Sequence, residues 1–248
     1  MIGSGMFSFP TGAVTHTGHL RSHNEDSITA QPDLGLWAVA DGMGGHDAGD
    51  VASRLITEEL SSIGVPISAQ DQRARALQRL DRAHRRIQDH AEAAGLPLVG
   101  ATLAALLIHD RELTCIWAGD SRIYLWRRDA LTPLTRDHSE IAQLIASGAL
   151  TEEQARNRPG RNVITRAIGV GAEPRPELAS GTVMAGDRLL ICSDGLTEHV
   201  PDAELAEALA HPIPPQHVVD HLLGQTLGRG GRDNVSVIVV DCIANAAT

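Results

Sequence analysis

With 248 residues, 42% of them hydrophobic, the chain can bury one sizeable core and is read as a single domain. A formal net charge of -10 excludes a nucleic-acid footprint. Apolar stretches such as residues 101–108 are too short to span a bilayer. All 21 basic residues are arginine, so Schiff-base and P-loop lysine chemistry are excluded while guanidinium groups suited to phosphate remain.

Taken in order, residues 1–12 read as an N-terminal extension, and short strands are expected over 13–17, 26–30 and 36–40, separated by polar turns. Helices follow at 47–62 and 70–94. In the second, Leu77, Leu80, Ile87 and Ala91 share one face, and Gly95 with Pro97 close it. A second block of strands covers 101–108, 112–118, 121–127 and 131–134, with Gly119-Asp120 as a hairpin turn. Residues 138–147 read as helix, and the polar run 148–161 as a mobile insertion. Strands at 163–166, 181–184 and 188–192, helices at 202–210 and 216–227, and a strand at 235–241 complete the pattern. Without steady βαβ alternation, this order points to an α+β protein with mostly antiparallel sheets and outer helices. Cys115, Cys192 and Cys242 lie in strand-like surroundings without CxxC spacing and read as core hydrophobes of a cytoplasmic protein, with no signal peptide ahead of them.

Four aspartates share one local grammar. Asp41 follows the apolar run 37–40, Asp120 follows 115–119, Asp194 follows 189–193, and Asp233 precedes the run 235–240. Each stands where a buried strand meets a turn, so four carboxylates can face one rim of the sheet core. Singly, such an Asp also suits a turn or a helix cap. Together, uncompensated acids would raise one another's pKa, and a divalent cation removes that cost. Oxygen donors without Cys or His partners indicate Mg²⁺ or Mn²⁺. Arg21, ahead of Glu25 and Asp26, offers a phosphate grip beside acceptors for bound water, or else a surface ion-pair cluster.

The motifs Arg21-x-x-Asn24-Glu25-Asp26, Ala40-Asp41-Gly42-Met43-Gly44-Gly45, Gly100-Ala101-Thr102, Ala118-Gly119-Asp120-Ser121-Arg122, Thr135-Arg136-Asp137-His138-Ser139, Ser193-Asp194-Gly195 and Asp233-Asn234-Val235-Ser236 resemble, in order, those of the bacterial metal-dependent serine/threonine protein phosphatases of the PP2C type. The resemblance covers about residues 13–241. It implies a four-layer αββα sandwich over 13–243, with a flap at about 147–163 and two Mn²⁺ or Mg²⁺ ions at one edge of the paired sheets. By position, Asp41 would bridge both ions, the Gly42 carbonyl would ligate one, and Asp194 with Asp233 would hold the other. Asp120 with Asp194 matches a looser third site. Arg21 would bind the substrate phosphate, and Glu25 and Asp26 would order metal-bound waters, with Asn234 beside them. Met43 stands where eukaryotic members often carry a general-acid His, which leaves the proton donor unassigned.

The expected reaction is phosphomonoester hydrolysis by a hydroxide bridging the two ions, with Arg21 offsetting charge on the phosphoryl oxygens. Kinship implies phosphorylated protein substrates, a Hanks-type Ser/Thr kinase as the opposing enzyme and, in some genomes, service to a type VI secretion system. A monomer with no membrane partner is expected. Two alternatives stand beside this: a catalytically silent regulatory module and a small-molecule phosphatase. His217 and His221 are spaced as a possible metal pair but read as helix surface. His16, His19 and His23 mix odd and even steps along the chain. The run 228–231, with Arg229 and Arg232, could cradle phosphate but reads first as the loop presenting Asp233.

Overall fold

The computed structural model describes residues 6–44, 48–151, 154–155 and 163–245. Strands β1 (Phe7–Ser8), β2 (Thr11–His16), β3 (Asp26–Gln31) and β4 (Leu36–Gly44) precede helices α1 (Ala48–Ser61) and α2 (Ala69–Ala94). Next come β5 (Val99–Ala101), β6 (Leu103–His109), β7 (Glu112–Ala118), β8 (Arg122–Arg127) and β9 (Ala130–Pro133), then α3 (Glu140–Ala146). The chain continues with β10 (Glu177–Thr182), β11 (Arg188–Cys192), α4 (Asp194–Thr197), α5 (Asp202–Ala210), α6 (Pro215–Gly228), β12 (Val235–Asp241) and β13 (Ile243–Ala244).

One sheet runs β10-β7-β6-β4-β3, with β5 added to β4, and the other runs β2-β12-β11-β8-β9. Every pairing in them is antiparallel. The period-2 alternation of each strand assigns its two faces. In β4, Trp37 and Val39 point to the opposite sheet and meet Ile123, Ile191 and Ile238, whereas Leu36, Ala38 and Ala40 point outward. That outer face is covered by Ala52, Ile56 and Leu60 of α1 and by Ala76, Leu80, Ala83 and Ile87 of α2. In β12, Val235, Val237 and Val239 pack outward on Leu205, Val218 and Leu222 of α5 and α6. Three apolar layers thus lie between four layers of structure, the αββα sandwich expected.

Local chemistry accounts for the ends. Ser68 accepts from the Asp71 amide to start α2, and Gly95, at φ 65°, ends it in the left-handed region. Among the described residues, no helix is long and apolar enough to cross a membrane.

Several boundaries depart from expectation. β4 continues through Asp41 to Gly44, because Gly42, Met43 and Gly44 pair with Ala101, Gly100 and Val99 of β5. The expected strand 101–108 is two strands broken at Thr102. Residues 163–166 contribute only a bridge from Ile164 to Ser139, and the strand placed at 181–184 lies earlier, at Glu177–Thr182. Of the expected flap, residues 152–153 and 156–162 lie outside the described residues, as does Asp47 of the first expected helix.

Candidate active site

The β3/β4 register sets Asp26 directly opposite Asp41, an expensive placement for two acids on one sheet. Asp41 is fixed through its backbone: the Asp41 amide donates to Thr102 Oγ1 (3.1 Å), and the Thr102 amide donates to the Asp41 carbonyl (2.8 Å). The break between β5 and β6 frees Thr102 for this role. Its hydroxyl also lies 2.7 Å from Ser121 Oγ, tying Asp41 to the turn that carries Asp120.

From the second sheet, β11 ends at Cys192 and Asp194 opens α4. Between them, the Ser193 hydroxyl donates to Asp26 Oδ2 (2.8 Å) and accepts from the Ser236 amide (3.0 Å), joining the sheets beneath the acids. Asp233 Oδ1 accepts from the Asn234 amide (2.8 Å), and its Oδ2 accepts from Arg21 Nη2 (2.7 Å). Asn234 Oδ1 takes the Glu25 amide (2.8 Å), while its Nδ2 donates to the Thr17 and His23 carbonyls (2.9 Å each). The Glu25 carbonyl accepts from the Gly42 amide (3.0 Å). Gly42 must be glycine, since a Cβ there would lie 2.1 Å from the Gly49 carbonyl oxygen. Of the run 228–231, Gly228 ends α6 and residues 229–231 form the loop before Asp233, held by the His19 amide on the Gly231 carbonyl (2.7 Å).

These acids share one field. Burial holds Asp41 well above the ordinary carboxylate range, reinforced by Asp26, Asp194, Asp120 and Asp233. Asp194 is raised by burial, then by Asp120, Glu198, Asp233 and Asp26. Burial pushes Asp26 up to about 6 against the hydrogen bonds from Ser236 and Ser193. Asp120 is likewise pushed up to about 6 by burial and by Asp137, with Arg122 opposing. Two buried oxygens of these acids, Asp26 Oδ1 and Asp194 Oδ1, have no partner among the described residues. Such atoms are costly unless something outside the protein fills the gap.

The donor set is therefore hard, anionic and under-satisfied, which suits a divalent cation of the Mg²⁺ or Mn²⁺ kind. As they stand, no three His, Cys, Asp or Glu side chains among the described residues are grouped closely enough to enclose an ion. Mutual repulsion and the Arg21 pairing, which occupies an Asp233 oxygen, are physical reasons for that spacing. His217 and His221 are exposed on α6 and join no such group.

The protein phosphatase 2C family model matches residues 16–222. The chain belongs to the protein phosphatase 2C family. The serine/threonine protein phosphatase PstP of Mycobacterium tuberculosis is 38% identical over 91% of this chain, which spans 43% of that relative's length. Among solved structures, PppA of Pseudomonas aeruginosa, described as a key regulatory component of T6SS, superposes with a TM-score of 0.88 at 36% identity, covering 95% of this chain and 98% of that one. The catalytic domain of PstP in complex with two manganese ions gives 0.87 at 35%, covering 96% and 99%. This protein phosphatase 2C domain thus carries its acids at the end of the paired sheets where β4, β11 and β12 converge. Thr102, Ser121 and Ser193 are the site residues whose parts were not assigned from sequence, although each lies inside or beside a recognised motif.

Proposed function

We propose that the chain is a metal-dependent serine/threonine protein phosphatase that hydrolyses phosphoserine and phosphothreonine in proteins. The observation carrying this reading is the convergence of Asp26, Asp41, Asp120, Asp194 and Asp233 into one field, with orphaned oxygens on Asp26 and Asp194, beside a half-exposed arginine. Asp41, Asp194, Asp233 and the Gly42 carbonyl would hold two Mn²⁺ or Mg²⁺ ions, and Asp120 with Asp194 a weaker third. Bound there, such ions supply water acidified toward neutrality and positive charge beside a phosphoryl group.

The chain's own groups do the rest. Arg21, its side chain 55% exposed, is placed to leave Asp233 and grip phosphate oxygens bidentately. Asp26 Oδ1, without a partner among the described residues, would accept a hydrogen bond from water, and Glu25, tied to Asn234 and Gly42, holds its carboxylate over Gly49 at the start of α1. Substrates would be proteins phosphorylated by a bacterial Ser/Thr kinase, met by a cytoplasmic monomer. The three buried, unpaired cysteines suit that reducing compartment.

The test is hydrolysis of a phosphoserine peptide with Mn²⁺, then with chelator, in the wild type and in Asp41→Asn. Activity that survives both the chelator and the substitution overturns the reading. Ion binding without turnover would instead mark a regulatory module, and preference for free metabolite phosphates a small-molecule phosphatase.

A further inference from the structure

A cavity of about 620 Å³ opens at the same end of the sandwich, and the acidic cluster does not use it. Its lining includes Trp117, Leu134, Arg136, Ala142, Ala146 and Arg166. Trp117 forms a rigid wall: its ring stacks on His138 at 5.9 Å and 10°, and its indole Nε1 donates to the Arg136 carbonyl (2.9 Å). Helix α3 borders the cavity through Ala142, Gln143 and Ala146, none of them buried. Apolar surface is therefore on offer at this rim.

Charge at the rim is unequal. Asp137 is held bidentately by Arg122 (2.7 and 2.8 Å), and Arg166 is paired with Glu177 (2.9 Å). Arg136 is exposed, and among the described residues its guanidinium has no acid or acceptor partner. An unpaired guanidinium beside an aromatic and aliphatic wall fits a carboxylate adjoining an apolar side chain. A single free cation is too little for a nucleic-acid backbone.

The position links this cavity to the reaction. β7 ends at Ala118, one residue past Trp117, and the chain bends through Gly119 (φ 109°) to Asp120; the Gly119 amide donates to His138 Nδ1 (3.2 Å) while its carbonyl accepts from the His138 amide (2.8 Å). Trp117 stands three residues from Asp120, at most about 10 Å along the chain. A peptide lying across both places would span a similar number of its own residues.

We propose that this cavity docks the polypeptide of the phosphoprotein substrate, taking an apolar side chain and a neighbouring carboxylate about three residues from the phosphorylated Ser or Thr. The proposal rests on the phosphatase reading above and names what that enzyme selects beyond the phosphate. Trp117, Leu134 and α3 receive the apolar group, and Arg136 receives the acid.

The test uses phosphoserine peptides carrying Leu and Asp three and four residues to one side or the other of the phosphoserine, against a matched peptide with Ala at those positions. Arg136→Glu reverses the free charge, and Ala146→Trp fills the cavity from an exposed helix position. In the wild type with Mn²⁺, one Leu-Asp peptide should show a KM about tenfold below that of the Ala peptide, and both variants should erase the preference. No preference in the wild type, a preference that survives both variants, or an equal rise in KM for the Ala peptide overturns the docking site. Fluorescence anisotropy of the labelled, unphosphorylated Leu-Asp peptide in chelator reads binding without turnover. Tighter binding to the wild type than to Arg136→Glu supports docking even if neither phosphopeptide is hydrolysed, a result that would sink the phosphatase reading alone. Equal binding overturns docking.

Discussion

Replacing Asp26 by Asn should stabilise the protein in chelator, although Asp26 is a buried polar residue. Burial moves the Asp26 carboxyl from 3.8 to about 6, so at pH 8 the folded chain holds a charge it resists by about 3 kcal/mol. The unfolded chain releases that proton near 3.8 and the folded chain only near 6, so the wild type loses this stability as pH rises through that window. Asn mimics the neutral carboxyl. Its amide oxygen can keep the Ser193 hydrogen bond, and its amide nitrogen replaces an oxygen that had no partner. The gain at pH 8 is therefore at most about 3 kcal/mol, roughly 6 to 12 °C in Tm for a chain of this size. It should shrink below pH 6 and vanish near pH 4. Urea unfolding of both proteins in chelator at pH 4, 5, 6 and 8 measures the difference directly. With Mn²⁺ the advantage should fall, because bound cations favour the ionised carboxylate. A variant less stable than the wild type at pH 8, or a difference independent of pH, would refute the electrostatic account.

Other outcomes follow from the same geometry. Arg21→Ala should raise KM for a phosphopeptide while changing unfolding free energy by less than about 1 kcal/mol, since its pair with Asp233 is solvent-exposed. Thr102→Val should cost about 1 to 3 kcal/mol in urea melts and depress activity, because the Asp41 amide and the Ser121 hydroxyl both lose a partner; Thr102→Ser should keep most of both. Native Cys115, Cys192 and Cys242 should resist iodoacetamide at pH 8, their thiols pushed up to about 12 by burial, and react only after denaturation, as peptide mass spectrometry would record.

What could be read from sequence and what could not divide along physical lines. The strand at 36–40 was legible as an unbroken apolar run because its two faces meet two different cores, helices on one side and the second sheet on the other. The continuation of β4 through Asp41 to Gly44 was not, because Gly42 and Gly44 read as turn residues until β5 supplies a partner. Residues 163–166 failed in the opposite direction: their apolar, β-branched character suggests a strand, but only Ile164 finds a bridge, on Ser139.

The same division runs through the site. The acids were legible singly because each ends or begins an apolar run, and an isolated carboxylate there calls for an explanation. The neutral residues that make the arrangement hold were not, because a threonine or serine acquires its part only from register. Thr102 matters because the β5/β6 break turns it toward Asp41, and Ser193 because β3 meets β4 with Asp26 opposite Asp41, beneath the end of β11. Both hydroxyls hold acids in a place the acids themselves disfavour. A fold optimised for stability alone would not oppose Asp26 to Asp41. That it does so, with two oxygens left unpartnered, is the physical signature of a site shaped for a charge the polypeptide does not carry.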